Sequence, residues 1–197
     1  MRIALIGATG RIGRLIAQEA TGRGHAVTAL RRGEPDILDA AALAQAVRQH
    51  DALVSAYRPP SDALHLLAQV AASATQAARQ AGVPRVLTVG GAGVLSVAPG
   101  VRLGDTPDFA AALVPQVAAH TAAIAVLRAC TDVDWTCMVP PAQIGVGART
   151  GRYRTAVDAL VRQADGRSTV SYGDFACAVL DELESPCHSR QVVGVGD

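Results

Sequence analysis

The 197-residue sequence contains no lysine: all 18 of its basic residues are arginine. Without that amine there can be no Schiff-base or pyridoxal-phosphate enzyme, no lysine-dependent phosphate loop and no Tyr-x-x-x-Lys dehydrogenase dyad. Asparagine is missing as well, which excludes N-glycosylation. Aromatic residues make up only 3% of the chain and the net charge is +1, so it offers neither the stacking platform nor the basic footprint that nucleic-acid binding requires. Four cysteines, Cys130, Cys137, Cys177 and Cys187, have no Cys-x-x-Cys spacing and no nearby His pair, so reduced thiols are expected and a metal site is not. The apolar run after Met1 is too short for a signal-peptide core, and later apolar stretches carry polar interruptions. A cytoplasmic protein without a membrane span is the expectation.

What is present is an alternation of strand-length apolar runs with longer Ala-rich segments of helical period, the pattern of an α/β fold. It predicts a Rossmann-like, doubly wound parallel sheet in a single domain spanning residues 1–197. Strands are expected near 2–6, 25–30, 51–55, 84–89, 133–138 and 191–195, and helices near 11–22, 39–49, 62–81, 116–130 and 173–183. The Gly- and Pro-rich stretch 90–115 reads as a long loop leaving a strand end, the edge of an open sheet where ligands sit.

The most informative segment follows the first strand: Gly7-Ala8-Thr9-Gly10-Arg11-Ile12-Gly13, opening a helix whose apolar face includes Ile12, Leu15 and Ile16. Gly7 permits a tight turn, Gly10 lets the backbone approach a pyrophosphate, and Gly13 allows close helix-to-strand packing. The helix N-terminus meanwhile offers unpaired N–H groups to the anion. A dinucleotide site is the reading this context supports. At the end of the second strand, where an NAD site usually carries an acidic residue for the ribose 2′-hydroxyl, stand Arg31 and Arg32. A guanidinium pair matches a 2′-phosphate in charge and fork geometry, so NADP(H) is expected to be preferred over NAD(H). A solvated basic turn is the alternative.

GATGRIG, Asp36-Ile37-Leu38-Asp39, the strand ending Leu87-Thr88-Val89-Gly90-Gly91-Ala92-Gly93, Asp134-Trp135-Thr136 with Pro140-Pro141, Arg149-Thr150-Gly151-Arg152-Tyr153 and the closing block from Ser171 to Glu184 resemble one group over essentially the whole chain. It is the NAD(P)H-binding, NADH-flavin-reductase-like branch of the atypical short-chain dehydrogenases. The resemblance implies that Gly7, Thr9, Gly10, Arg11 and Ile12 bind pyrophosphate, Asp36 and Ile37 flank the adenine, and Ser55, Ala56 and Tyr57 line the ribose side. It further puts Val89, Gly90 and Gly91 beside the nicotinamide ribose. Pro140 and Pro141 would hold the nicotinamide face, or serve only as a rigid exit from their strand. The implied activity is hydride transfer from NAD(P)H to a small-molecule acceptor, a flavin bound as substrate or a quinone.

Two departures from the group's pattern stand out. Only Gly33, Glu34 and Pro35 separate Arg32 from Asp36, so the third strand is shortened or absent. Val94 occupies the position where relatives usually carry a serine, with Ser96 two residues on. Tyr57, Tyr153 and Tyr172 are followed four residues later by Ser61, Val157 and Ala176, so no tyrosine belongs to a Tyr-Lys dyad. Carbonyl reduction needs an acid for the developing alkoxide, whereas a flavin spreads the incoming charge and needs mainly proximity. His120, early in its helix, is the remaining candidate for a proton donor near neutral pH, or else an ordinary surface histidine. Arg149 and Tyr153 could rim the acceptor pocket or pin their own loop. A non-catalytic NAD(P)-binding sensor is the rival reading, and a sugar-nucleotide epimerase a weaker one because the dyad is missing.

Overall fold

A computed structural model describes residues 1–30, 33 and 35–197; Arg31, Arg32 and Glu34 lie outside the described residues. The first half contains β1 (Arg2–Ile6), α1 (Arg11–Gly22), β2 (Ala26–Leu30), α2 (Ala40–Val47), β3 (Ala52–Ser55), α3 (Leu66–Ala81) and β4 (Arg85–Val89). There follow β5 (Ser96–Ala98), β6 (Val101–Arg102), α4 (Val114–Ala129), β7 (Asp134–Val139), β8 (Gln143–Gly145), β9 (Arg154–Val157), β10 (Thr169–Ser171), α5 (Tyr172–Glu184) and β11 (Gln191–Gly196).

All six expected strands form, and they lie parallel in one sheet of order β2-β1-β3-β4-β7-β11, closed at its edge by the antiparallel β9. From β1 the chain goes first to β2 on one side and then to β3 on the other, so the winding reverses between β1 and β3. Strand side chains alternate between two cores, as a sheet buried on both faces demands. Ala4, Ile6, Leu53, Val86, Trp135 and Val139 pack on the side of α2, α3 and α4. Ile3, Leu5, Val54, Leu87, Met138 and Val193 pack on the side of α1 and α5.

Local signals set the helix ends. Asp39 accepts hydrogen bonds from the amides of Ala41 (2.8 Å) and Ala42 (3.2 Å) and starts α2; Ser171 accepts from Asp174 N at 2.9 Å and starts α5. Residues 62–65, expected to be helical, instead form a turn before α3. The stretch 90–115 is less of a loop than its composition suggests, because β5 and β6 pair within it as a short antiparallel hairpin. The three residues between Arg32 and Asp36 leave no length for a strand and crossover, and β2 is the outermost strand among the described residues.

One helical stretch, Ala111–Ala129, is long and apolar enough to cross a membrane, contrary to the expectation that none would be. Alanine accounts for this, scoring as apolar while adding little side-chain surface. Within the fold this helix buries Val117, Ile124 and Leu127 and packs on α3.

At the N-terminal ends of β4 and β7 a buried charge cluster joins the two faces. Arg85 donates to Glu182 of α5 at 2.7 Å and to the Thr136 hydroxyl at 2.6 Å, and its other terminal nitrogen lies 2.9 Å from Asp134, an ion pair without hydrogen-bond alignment. Glu182 also accepts from the His188 amide at 3.0 Å and meets that imidazole at 2.7 Å. Glu182→Gln removes the charge that offsets a buried guanidinium and should cost about 3 kcal/mol, the lower end of the range for breaking such a pair because Asp134 remains. Urea unfolding should show a lower midpoint with an unchanged m value.

Candidate functional site

The turn from β1 into α1 is built on close backbone contacts. Gly7 has φ +79°, and a Cβ on it would stand 2.6 Å from the Ala56 carbonyl oxygen at the end of β3. Its own carbonyl accepts from Gly10 N at 2.9 Å, and Gly10 O in turn accepts from Arg14 N at 2.9 Å, the first bond of the helix. A Cβ at Gly13 would lie 2.1 Å from the Gly7 oxygen, so only glycine brings α1 this near the strand end. No side chain caps α1 and no acidic residue occupies its first turn. The leading amides of the helix therefore keep their hydrogen-bonding capacity and the positive end of the helix dipole for an anion.

A cleft of about 430 Å³ opens beside this turn, over the C-terminal ends of β1, β3 and β4. This is the switch point of the sheet, where open α/β folds bind their ligands. Of the expected cofactor residues, Gly10, Arg11, Ile12, Ala56, Tyr57, Val89, Gly90 and Gly91 all line it. Gly7 holds the turn from below, Thr9 is exposed on the turn, and Ser55 lines a small inner cavity beneath the cleft with Thr88 and Cys137. Burial pushes the Cys137 thiol up to about 11, so it is an inert packing group and not a nucleophile.

Other expected residues are placed elsewhere. Pro140 and Pro141 are buried where β7 ends and do not line the cleft. Asp36 uses its carboxylate to accept from Leu38 N at 2.9 Å, and Ile37 packs on the core under α2, so neither lines the cleft wall. The two residues on which the 2′-phosphate reading rests, Arg31 and Arg32, are outside the described residues. Arg149 does not rim the cleft: it makes a two-pronged ion pair with Glu19 of α1, at 2.6 and 2.7 Å. The Tyr153 hydroxyl donates to Asp181 of α5. Both side chains pin their loop to α1 and α5, while Tyr153 also lines a second cavity of about 690 Å³ with Ile144, Arg152 and Ser171; the two arginines on Glu19, Arg149 and Arg23, hold its carboxyl at about 2.

His120 does reach the cleft. It projects from the second turn of α4 against Gly91, where a Cβ would come within 2.6 Å of its ring. Burial pushes its pKa down to about 4, which favours the neutral imidazole over the cationic proton donor expected of it. Val94 packs toward the core and the Ser96 hydroxyl donates to the Ala98 carbonyl at 2.8 Å, so neither supplies the missing hydroxyl to the cleft.

Several lining residues are not evident from the sequence, among them Arg58, Leu64, Gln116, Ile144 and Tyr172. Tyr172 accepts a 3.0 Å hydrogen bond from Arg11, whose guanidinium also lies 5.6 Å from the centre of its ring. A separation of 161 residues hides that contact from any local pattern.

A family model described as NAD(P)H-binding matches residues 7–186. The chain belongs to the NAD(P)H-binding family. Three solved structures share this fold along the whole chain. A candidate exported protein from Burkholderia pseudomallei is 38% identical, with a TM-score of 0.92 and 100% of both chains covered. A candidate epimerase from Bacteroides thetaiotaomicron is 33% identical, with a TM-score of 0.89, covering 99% of this chain and 96% of the other. A candidate NADH-flavin reductase from Streptococcus pneumoniae is 31% identical, with a TM-score of 0.89, covering 100% and 99%. Membership of the family fits the glycine turn, the uncapped helix start and the cleft at the switch point. The residues present can hold a dinucleotide: the α1 amides and Arg11 at its pyrophosphate, and Val89, Gly90 and Gly91 toward its nicotinamide half.

The half-buried His120 gives the fold a specific pH dependence. Its folded pKa, about 4, is depressed below the 6.5 of an exposed histidine. Its contribution to stability is therefore complete above about pH 6.5 and is lost as pH falls toward 4, because the unfolded chain takes up the proton first. Thermal melts from pH 7.5 to 4.5 should show His120→Gln losing less Tm on acidification than the parent protein.

Proposed function

We propose that the protein is an NAD(P)H-dependent oxidoreductase, preferring NADPH, that transfers hydride to a flavin or a similar planar acceptor such as a quinone without a Tyr-Lys dyad. The observation that carries this reading is the cleft itself: a dinucleotide cradle beside a pocket whose one histidine is neutral and in which no lysine exists. The bound cofactor would supply the hydride. The chain's residues would anchor the pyrophosphate at the α1 N-terminus, keep the region of Gly90 and Gly91 free of side chains, and shield the reacting faces with Ile12, Leu64, Leu67 and Ile144. An acceptor that delocalises the incoming charge makes little demand on such a site, whereas an alkoxide would call on an acid, and the cleft offers only the hydroxyls of Tyr57, Ser61 and Tyr172 with no lysine beside them.

The Streptococcus pneumoniae relative, called a candidate NADH-flavin reductase, supports the flavin as acceptor. An epimerase, as the Bacteroides relative is called, is disfavoured for this chain because no tyrosine can pair with a lysine. The preference for NADPH rests on Arg31 and Arg32 in the sequence.

NADPH oxidation followed by absorbance should depend on added FMN, riboflavin or quinone; binding of NADPH without acceptor-dependent oxidation would turn the assignment to a non-catalytic sensor. NADPH should bind more tightly than NADH, and Arg31→Ala with Arg32→Ala should reduce that preference about tenfold or more. Since His120 is already neutral, kcat/KM should show no limb with a pKa near 6.5 arising from it.

A further inference from the structure

We propose that Arg58 selects acceptors bearing a phosphate monoester, so that FMN is favoured over riboflavin. This inference rests on the reductase reading and names the acceptor class for the same cleft. Two cationic side chains line that cleft, Arg11 and Arg58, and no carboxylate joins them among the described residues. Arg11 belongs to the first turn of α1, on the pyrophosphate side, and its guanidinium is held by Tyr172. Arg58 lines the same cleft from the segment between β3 and α3, next to Tyr57, and has no ion-pair partner among the described residues. Arg14, Arg48 and Arg152 likewise have no carboxylate partner among the described residues, so it is the place in the cleft lining that sets Arg58 apart.

The wall that carries Arg58 is graded by depth. Pro59 and Leu67 are buried, Tyr57 and Leu64 half-buried, and Arg58 and Ser61 exposed. A flat ring system suits the inner, apolar part, with its flexible chain leading outward to the guanidinium. His120, across the cleft on α4, is uncharged, which leaves Arg58 as the formal charge on this side. A guanidinium matches a phosphate in charge and fork geometry, whereas a ribityl hydroxyl gains only an ordinary hydrogen bond from it.

FMN and riboflavin share one ring, so their comparison isolates the phosphate. The test measures kcat/KM for each in NADPH oxidation, and the dissociation constant of each from the NADP⁺-loaded protein by flavin fluorescence, for the parent, Arg58→Gln and Arg58→Lys. The FMN-to-riboflavin ratio should exceed one, fall about tenfold in Arg58→Gln, and be restored only in part in Arg58→Lys, which keeps the charge without the fork. The affinity for NADP⁺ alone should remain within about twofold. Equal use of both flavins, or a ratio that Arg58→Gln leaves unmoved, would overturn the proposal while leaving the reductase reading intact. A variant that loses NADP⁺ affinity instead would assign Arg58 to the cofactor, which also overturns it. If neither flavin is reduced, the reductase reading fails, and the two dissociation constants still decide whether Arg58 recognises the phosphate.

Discussion

The approach of α1 to the end of β1 is the constraint on which the site depends. At Gly13 even a methyl group would stand 2.1 Å from the Gly7 carbonyl, and at Gly7 it would stand 2.6 Å from that of Ala56. The first contact fixes how near the helix start lies to its own strand, and the second how near the turn lies to β3, across the point where the winding reverses. Together they bring the uncapped amides of α1 to the one place in the sheet where neighbouring crossovers diverge and leave a crevice. A larger side chain at either position would push the helix dipole away from the cleft before any ligand could use it.

The two ends of the sheet handle charge in opposite ways. At the N-terminal ends of β4 and β7 the charge of buried Arg85 is offset by Glu182 and Asp134, and the bonds among Arg85, Glu182, Thr136 and His188 lock α5 to the strands. At the C-terminal ends the helix amides have no side-chain cap, Arg58 has no carboxylate partner among the described residues, and the cleft lining carries positive charge alone. Unpaired donors are tolerable there because solvent reaches them, and they remain available to an anion. The closed end supplies the rigidity that keeps the open end in shape.

Much of this was legible in the sequence because the signals are local. The glycine spacing and the strand-length apolar runs act within a few positions, and each is found where its pattern indicates. That β2 is the outermost strand among the described residues is equally local, since the three residues between Arg32 and Asp36 have no room for another strand and its crossover. For Arg149 and Tyr153 the sequence left two roles open, because the partners that pin them, Glu19 and Asp181, lie 130 and 28 positions away. His120 shows a different limit: its place in the cleft could be anticipated, but its proton affinity depends on how deeply α4 and Gly91 enclose it. Short edge elements such as β8, β9 and β10 carry too few residues for periodicity to register.

The absence of lysine acquires its meaning only beside that neutral histidine. A fold of this kind can lose its dyad and still keep a proton donor if another group near the nicotinamide end titrates around neutrality. His120 is in position, yet burial disfavours the imidazolium, and no carboxylate lines the cleft among the described residues to offset that cost. A carboxylate within reach would raise its pKa, but the same charge would oppose the binding of a pyrophosphate or a phosphate-bearing acceptor. The electrostatics that suit anionic ligands and those that would make His120 a strong acid are therefore in conflict, and this cleft resolves the conflict in favour of binding. On the proposed reading, chemistry at such a site is confined to acceptors whose own electronic structure carries the charge that no residue of the protein is placed to neutralise.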